Sequence, residues 1–563
     1  MRGGIAEASA LGLPDAPALA PVNPLEEPMK ELVEWGRETL PELLPYATDP
    51  TYIGIGAAAV LGTLAVGTLG SNLALTHGAR ALNALGHKLD RRPGVIGVAR
   101  RVDGGRVTQK AKPLVTLSFK DRCMHVQIVA PTRQGKTSLI LPWIEQDLRH
   151  HHTVIIIQTG GDLGSKALAL ADALGMPVHY LNPADPATEK WNPLVGAGAS
   201  PADLAEQATA TLEAIAASNN IFYEKNNTVI LRKMVLAAHA YARANGTEPN
   251  LAMVWRWLES EDRLMEDLRV RAHPGGRFSV EFEALDDKTR SWFENRYLRL
   301  SPKDRDDRTV GLYNVLDDML GRDVVEDVLT SGPDDTTIDV KAASQGGGLI
   351  LCDIPAADVG DVPSMTLATW FLMRVMQDLE KRKVRYPVCL YLDEMQLILG
   401  RANSRAAQRF ERWITGIGKY GVAVHVAYQG FSQLSEPLQD VLENNATHKF
   451  FSGRLGDKDA RKAQQIIGSS EVEVEDVRHT KGHGGHGSFS VGTRTVLRPR
   501  KTIDEIKKLP RPRWHLQTAT DGNLLDPMVV EALPVPEPAS KPLGEPAAPK
   551  KHPNKAPAGG AAR

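Results

Sequence analysis

Two groups of residues, far apart in the chain, carry side chains suited to handling a phosphate. The first is Gly135-Lys136-Thr137, inside His125–Pro142 (HVQIVAPTRQGKTSLILP). A glycine-bearing turn that opens a helix aims backbone N–H groups at an anion. A lysine there can contact β- and γ-phosphates, and the hydroxyl beside it can sit on Mg²⁺. Ala130, Pro131, Thr132, Arg133, Gln134, Gly135, Lys136, Thr137 and Ser138 form the candidate nucleotide cradle, with Ala130 where the general pattern has glycine. Read alone, this motif is matched by a plain strand–turn–helix loop.

The second group is Asp393-Glu394, which ends the apolar run Pro387–Leu392 (PVCLYL). Asp393 would orient Mg²⁺, together with Thr137, and Glu394 would polarise an attacking water. Acids at strand ends are mostly structural when they stand alone. Paired with a phosphate loop they predict an ATP hydrolase with ATP and Mg²⁺ as cofactors. Gln429 closes a third apolar run, Val422–Tyr428 (VAVHVAY). It could sense the γ-phosphate from an adjacent strand tip, or merely cap a loop; both readings stand.

The elements that must carry these groups are legible from periodicity. Val126–Ala130 and Val154–Ile157 read as buried strands, and a helical pattern follows Thr137. After Leu194 the pattern turns helical, as in Asp203–Ser218 and Thr228–Ala244, and strand character returns near Gly348–Asp353. A helical insertion is therefore expected over 199–337.

With 563 residues, 42% hydrophobic and 24% charged, the chain has the composition of a globular protein of several folding units. Cys123, Cys352 and Cys389 are too scattered for a disulfide framework, and Cys352 and Cys389 read as buried thiols. The sequence has no CxxC, HExxH or finger spacing, so no structural metal is expected. His150-His151-His152 reads as a solvated turn and Lys481–Gly492 (KGHGGHGSFSVG) as a mobile loop. Pro, Ala, Lys and Gly dominate the end of the chain, so 526–563 is expected to be a disordered tail.

The net charge of -1 conceals an asymmetry. Residues 1–50 hold nine acids against three bases, and residues 77–113 hold nine bases against two acids. Between them Thr51–Thr76 carries no charge, long enough for one transmembrane helix over 51–76. The basic segment 77–113 would lie on the cytoplasmic side and the acidic arm outside, placing the bulk of the chain in the cytoplasm at the inner cell membrane. Gly54, Ala58 and Gly62 recur every fourth residue, a face on which helices could pack closely.

The chain resembles the type IV secretion coupling proteins, the conjugative DNA-transfer ATPases. The likeness runs through VAPTRQGKT, YLNPADPATEKWNPL (Tyr180–Leu194), LILCDIP (Leu349–Pro355), YLDEMQLI (Tyr391–Ile398) and GKYGVAVHVAYQGFSQL (Gly418–Leu434). It continues in NNATHKFFSG (Asn444–Gly453) and RPRKTIDEIKKLPRPRWHLQT (Arg498–Thr518), in matching order over about residues 120–520. The resemblance implies an α/β fold: a RecA-like P-loop NTPase domain (114–198 and 338–525) interrupted by an all-α domain (199–337) and preceded by a transmembrane helix. It also implies a homo-hexamer that hydrolyses ATP to pass relaxase-bound single-stranded DNA to the subunits of a secretion channel. A substrate receptor for protein effectors with weak ATPase, and a related membrane DNA translocase, are the competing readings. DNA handling follows from the resemblance and not from charge, because the pI is near 7.0 and the bases of Arg256–Arg308 interleave with acids.

Three departures stand out. Family members often have two spans, against one here. The family pattern acid-x-Lys-Gly-acid is replaced by Gln158-Thr159-Gly160-Gly161-Asp162, which keeps only the glycine and the second acid. The family's arginine finger falls near Gly418-Lys419, where Lys419 or Arg412 could substitute.

Overall fold

The computed structural model describes residues 94–102, 114–196, 199–215, 221–331, 335, 337–399, 405–481, 487–520 and 522–536. Two compact units divide the chain, 1–92 and 93–563, and every described residue belongs to the second. The acidic arm, the expected span at 51–76 and the end of the tail lie outside the described residues. No helix among the described residues is long and apolar enough to cross a membrane.

The strands, in chain order, are β1 (Val95–Arg101), β2 (Leu114–Ser118), β3 (Val126–Val129), β4 (Thr153–Gln158) and β5 (Val178–Leu181). Then come β6 (Val270–His273), β7 (Arg277–Val280), β8 (Gly348–Asp353), β9 (Val388–Leu392), β10 (Val422–Tyr428) and β11 (His448–Phe451). The last are β12 (Ser469–Lys481), β13 (Gly487–Pro499), β14 (Arg513–Gln517), β15 (Ala519–Thr520), β16 (Asn523–Leu524) and β17 (Met528–Ala532).

Eleven of them form one sheet in the order β2-β1-β17-β14-β11-β3-β10-β9-β4-β8-β5. From β11 to β5 every pairing is parallel, while β14, β17, β1 and β2 add antiparallel ladders at one side. A parallel sheet covered on both faces calls for near-continuous apolar strands. The runs TVIIIQ, VCLYL and VAVHVAY meet that demand, and all their residues are buried.

The two faces hold different partners. One set, including Ile128, Val154, Ile156, Leu351 and Tyr391, packs under helices α1 (Lys136–Arg149) and α2 (Leu163–Ala173). The alternate residues, including Val129, Ile155, Ile157, Leu390 and Val424, pack against the helical insertion and the long helix α3 (Asp361–Lys381).

Register sets the site. Tyr428 pairs with Val129, Val426 with Leu392, and Leu392 with Ile157. The carboxyl ends of β3, β10, β9 and β4 therefore emerge at nearly one level, where open α/β sheets receive ligands.

The structure corrects several expectations. The sheet extends past the 114–525 boundaries: β1 lies inside the segment read as a basic juxtamembrane stretch, and β17 inside the stretch read as tail. β1 pairs the following strand β2 and β17 pairs the preceding β14, but the ladder that joins β1 to β17 brings together distant segments of the chain, which no local pattern announces. The segment 199–337 is mostly helical but not all-α, because β6 and β7 form a hairpin within it. Gly487–Gly492, read as mobile loop, belongs to β13 of a two-stranded ribbon with thirteen paired positions. The tract His150–His152 is a turn, but only His151 in it is exposed: His152 is 5% exposed and His150 lies 3.1 Å from the Val95 carbonyl.

Candidate active site

The chain leaves β3 at Val129 and makes the turn Ala130–Gly135 before α1. Ala130 is fully buried and donates its N–H to the Tyr428 carbonyl at 3.0 Å, so a strand-like contact occupies the position of the usual first glycine. Arg133 (φ 62°) and Gly135 (φ 94°) both adopt the left-handed region, and nothing lies within 4 Å of where a Cβ on Gly135 would stand. Gly135 is thus required by backbone conformation rather than by crowding. It opens α1, whose free N–H groups face the turn.

The acids arrive from β9. Lys136 Nζ forms an ion pair with the Glu394 carboxylate and lies 3.6 Å from Asp393 Oδ1. Glu394 also accepts hydrogen bonds from the Gln429 amide at 2.9 Å and from Gln396. Its own backbone sits at φ 53°, a region few non-glycine residues occupy and one concentrated at functional sites. Asp393 accepts the Glu394 N–H at 3.0 Å.

The two neighbouring carboxyls are driven apart electrostatically. Burial pushes Asp393 up; Lys136 opposes this and Glu394 adds to it. Burial also disfavours the Glu394 charge, but Lys136 and the hydrogen bonds from Lys136, Gln396 and Gln429 outweigh it and hold that carboxyl below its ordinary value. Lys136, Gln396 and Gln429 thus favour the charged form of Glu394.

Lys136, Asp393, Glu394 and Gln429 meet in one place. Thr137 does not contact Asp393: its hydroxyl donates to Asp162 Oδ1 at 2.8 Å, a residue held by the loop after β4. Sequence reading missed this use of Asp162, although Gly160-Gly161 before it signalled an unusual turn. It also missed Gln396, two residues beyond Glu394. Of the finger candidates, Arg412 is exposed, and Lys419 is exposed in the turn that enters β10, at the opposite end of that strand from Gln429.

Mg²⁺ and a nucleotide fit these donors. A hydroxyl, a buried carboxylate and a helix N-terminus with a lysine are hard oxygen ligands and anion donors, the chemistry that Mg²⁺ and phosphates require.

A second polar cluster lies at the other end of the strands. Asp147 receives Arg122 through two bonds (2.8 and 2.6 Å), the Tyr391 hydroxyl at 2.7 Å and His152 Nδ1 at 3.1 Å. Donor atoms of Asp147, His152 and Cys389 lie within 4.8 Å of one another, yet the guanidinium already neutralises the carboxylate. This is a charge-compensated piece of core.

A family model described as Type IV secretory system Conjugative DNA transfer matches residues 84–280, and one described as TraM recognition site of TraD and TraG matches residues 387–511. Among solved structures, the chain is similar to the bacterial conjugative coupling protein TrwBdeltaN70, with 15% identity, a TM-score of 0.54, and 78% of this chain and 93% of that chain covered. The plasmid coupling protein TrwB in complex with ADP and Mg²⁺ matches with 14% identity, a TM-score of 0.53 and coverages of 77% and 94%. TrwB with a non-hydrolysable ATP analogue matches with 15% identity, a TM-score of 0.53 and coverages of 78% and 94%. No curated protein matches significantly. At these identities the structural likeness establishes the fold, a RecA-like P-loop α/β domain.

Proposed function

The chain belongs to the type IV secretion coupling proteins, and from that premise we propose that it is a membrane-anchored ATPase delivering relaxase-bound single-stranded DNA to a secretion channel. The observation that carries the ATPase reading is the meeting of Lys136, Asp393, Glu394 and Gln429 at the level carboxyl ends of β3, β9 and β10. Relatives solved with ADP and Mg²⁺ and with an ATP analogue support nucleotide and Mg²⁺ as its cofactors.

Each residue then has a part. Backbone N–H groups at the start of α1, from Gly135 to Ser138, and the Lys136 ammonium bind the phosphates. Thr137 and Asp393 would hold Mg²⁺, which would supply positive charge to stabilise the phosphates during transfer. A phosphate drawing Lys136 away would free Glu394 to accept a proton from water, with Gln429 keeping the carboxylate aimed. Gln429 sits on a different strand from Glu394, so its bond links the chemistry to movement of β10 and the helices packed on it.

A single span at 51–76, with the acidic arm outside and the rest of the chain cytoplasmic, follows from the charge asymmetry. A ring of six copies is proposed on family grounds, with a finger supplied by a neighbour.

The test is ATP hydrolysis by the full chain with and without single-stranded DNA, with Lys136→Ala as the blank. Lys136-dependent turnover stimulated by DNA, and losing that stimulation as salt rises, is the expected result. Turnover indifferent to DNA would redirect the reading to protein export. No turnover above the blank in an assembled ring would leave a receptor.

A further inference from the structure

Asp162 stands at the N-cap of α2, where an aspartate ordinarily accepts a hydrogen bond from its own helix. It makes no such bond. The other aspartates at N-cap positions among the described residues do: Asp286 accepts from Thr289 N at 2.9 Å and Asp339 from Ala342 N at 3.0 Å. A forgone cap costs on the order of 1 kcal/mol, so the carboxylate is held elsewhere by something. Its partners are Thr137, at 2.8 Å, and Lys166.

The surrounding chain is arranged for this. Gly160 (φ 118°) and Gly161 (φ 125°) take conformations closed to other residues, and the turn they make carries Asp162 back over the phosphate loop. The cap that Asp162 gives up is supplied by Gln158, whose Oε1 accepts the Gly164 N–H at 3.0 Å. Thus the departure from the family pattern at Gln158–Asp162 is a working substitution: the glutamine caps the helix and the acid is released to the site.

We propose that Asp162 is a positioning residue for the metal of a bound nucleotide, accepting the hydrogen bond of the Thr137 hydroxyl so that the oxygen lone pairs face Mg²⁺. A hydroxyl ligand can offer a lone pair to a cation only if its hydrogen points away, and an anionic acceptor fixes that orientation and strengthens the donor. Asp393 does not serve Thr137 in this way, being engaged with Lys136 and the Glu394 N–H. This inference rests on the nucleotide-binding reading above.

The experiment compares the affinity of the full chain for a fluorescent ADP with Mg²⁺ and with Mg²⁺ removed by chelation. Asp162→Ala is expected to lower the gain from Mg²⁺ by about tenfold, the usual loss for an outer partner of a metal ligand, while metal-free affinity stays within about twofold. Asp162→Asn, which keeps an acceptor oxygen, should recover part of the gain. In a Thr137→Val background Asp162→Ala should cost nothing further, since its partner is already gone. Lys166→Met removes an exposed ion pair and should leave the gain unchanged.

Equal loss of both affinities, or full additivity with Thr137→Val, would overturn the proposal. So would Lys166→Met reproducing the Asp162→Ala loss. If Asp162→Ala melts before it can be measured, Asp162→Asn and the Thr137→Val pair decide it. A wild-type chain that binds no nucleotide at all sinks the ATPase reading instead.

Discussion

Gln429 donates its side-chain amide to Glu394 at 2.9 Å, joining the tips of β10 and β9 across the candidate site. The same carboxylate takes Lys136 and Gln396, so Glu394 is held by three side chains from three different segments. Gln429→Ala removes one of the three. Turnover should fall about tenfold or more while nucleotide affinity stays within about threefold, because in the proposed mechanism the lost contact aims the base without touching the phosphate loop. Steady-state hydrolysis alongside equilibrium nucleotide binding separates the two quantities, and a parallel loss of affinity would assign Gln429 to ground-state binding.

Glu394→Gln keeps the shape but removes the charge that, in the proposed mechanism, takes a proton from water. Hydrolysis should drop by roughly 10²–10⁴, the usual contribution of a positioned base. Binding should persist or tighten, since Lys136 loses a competing anion. Retention of more than about a tenth of wild-type turnover in a single-turnover measurement would reassign the base.

The Arg122–Asp147 pair is wholly buried. Burial opposes both charges, but each holds the other ionised, well outside the ordinary range of its type. Asp147→Asn leaves the guanidinium without its counter-charge and should destabilise the domain by about 3–5 kcal/mol. Arg122→Met combined with Asp147→Leu should recover part of that loss, because two matched apolar groups replace two buried charges, although the Tyr391 hydroxyl and His152 lose their acceptor. Chemical denaturation of the three proteins checks it, and a double variant no better than Asp147→Asn alone would contradict it.

Acid should weaken the fold through its buried histidines. Burial lowers His425 from 6.5 to about 3 and His125 to about 4, so both are neutral in the folded state where the unfolded chain would already be protonated. Their folded values are depressed, so stability is highest above pH 6.5 and falls as the pH drops toward 4 and then 3. His425 stacks on Tyr391 with centroids 4.2 Å apart, and His425→Phe can keep that stacking while removing one titrating group. Between about pH 6 and 4 the slope of unfolding free energy should shrink by close to 1.4 kcal/mol per pH unit. Melting curves across that range decide it; an unchanged slope would mean the ring is protonated when folded.

Much of the candidate site was legible without coordinates because it is carried by contiguous residues. Gly135-Lys136-Thr137 and Asp393-Glu394 each follow an apolar run, and such runs declare strand ends wherever they occur. The buried strands β4, β8, β9 and β10 were readable for the same reason: both faces are covered, so the pattern is continuous. Partners were not readable. That Gln429 meets Glu394, that Thr137 turns to Asp162, and that His152 joins a buried acid depend on which strands lie side by side, and strand order leaves no period in a sequence. Strands β1 and β17 were missed because the ladder that joins them to each other runs between distant segments of the chain, although each also pairs a strand near it in sequence. The sequence by itself determined the candidate groups and the strand ends that bear them; the tertiary structure decided the hydrogen-bond partners, since a bond across a sheet is set by register between distant segments and not by the segments themselves.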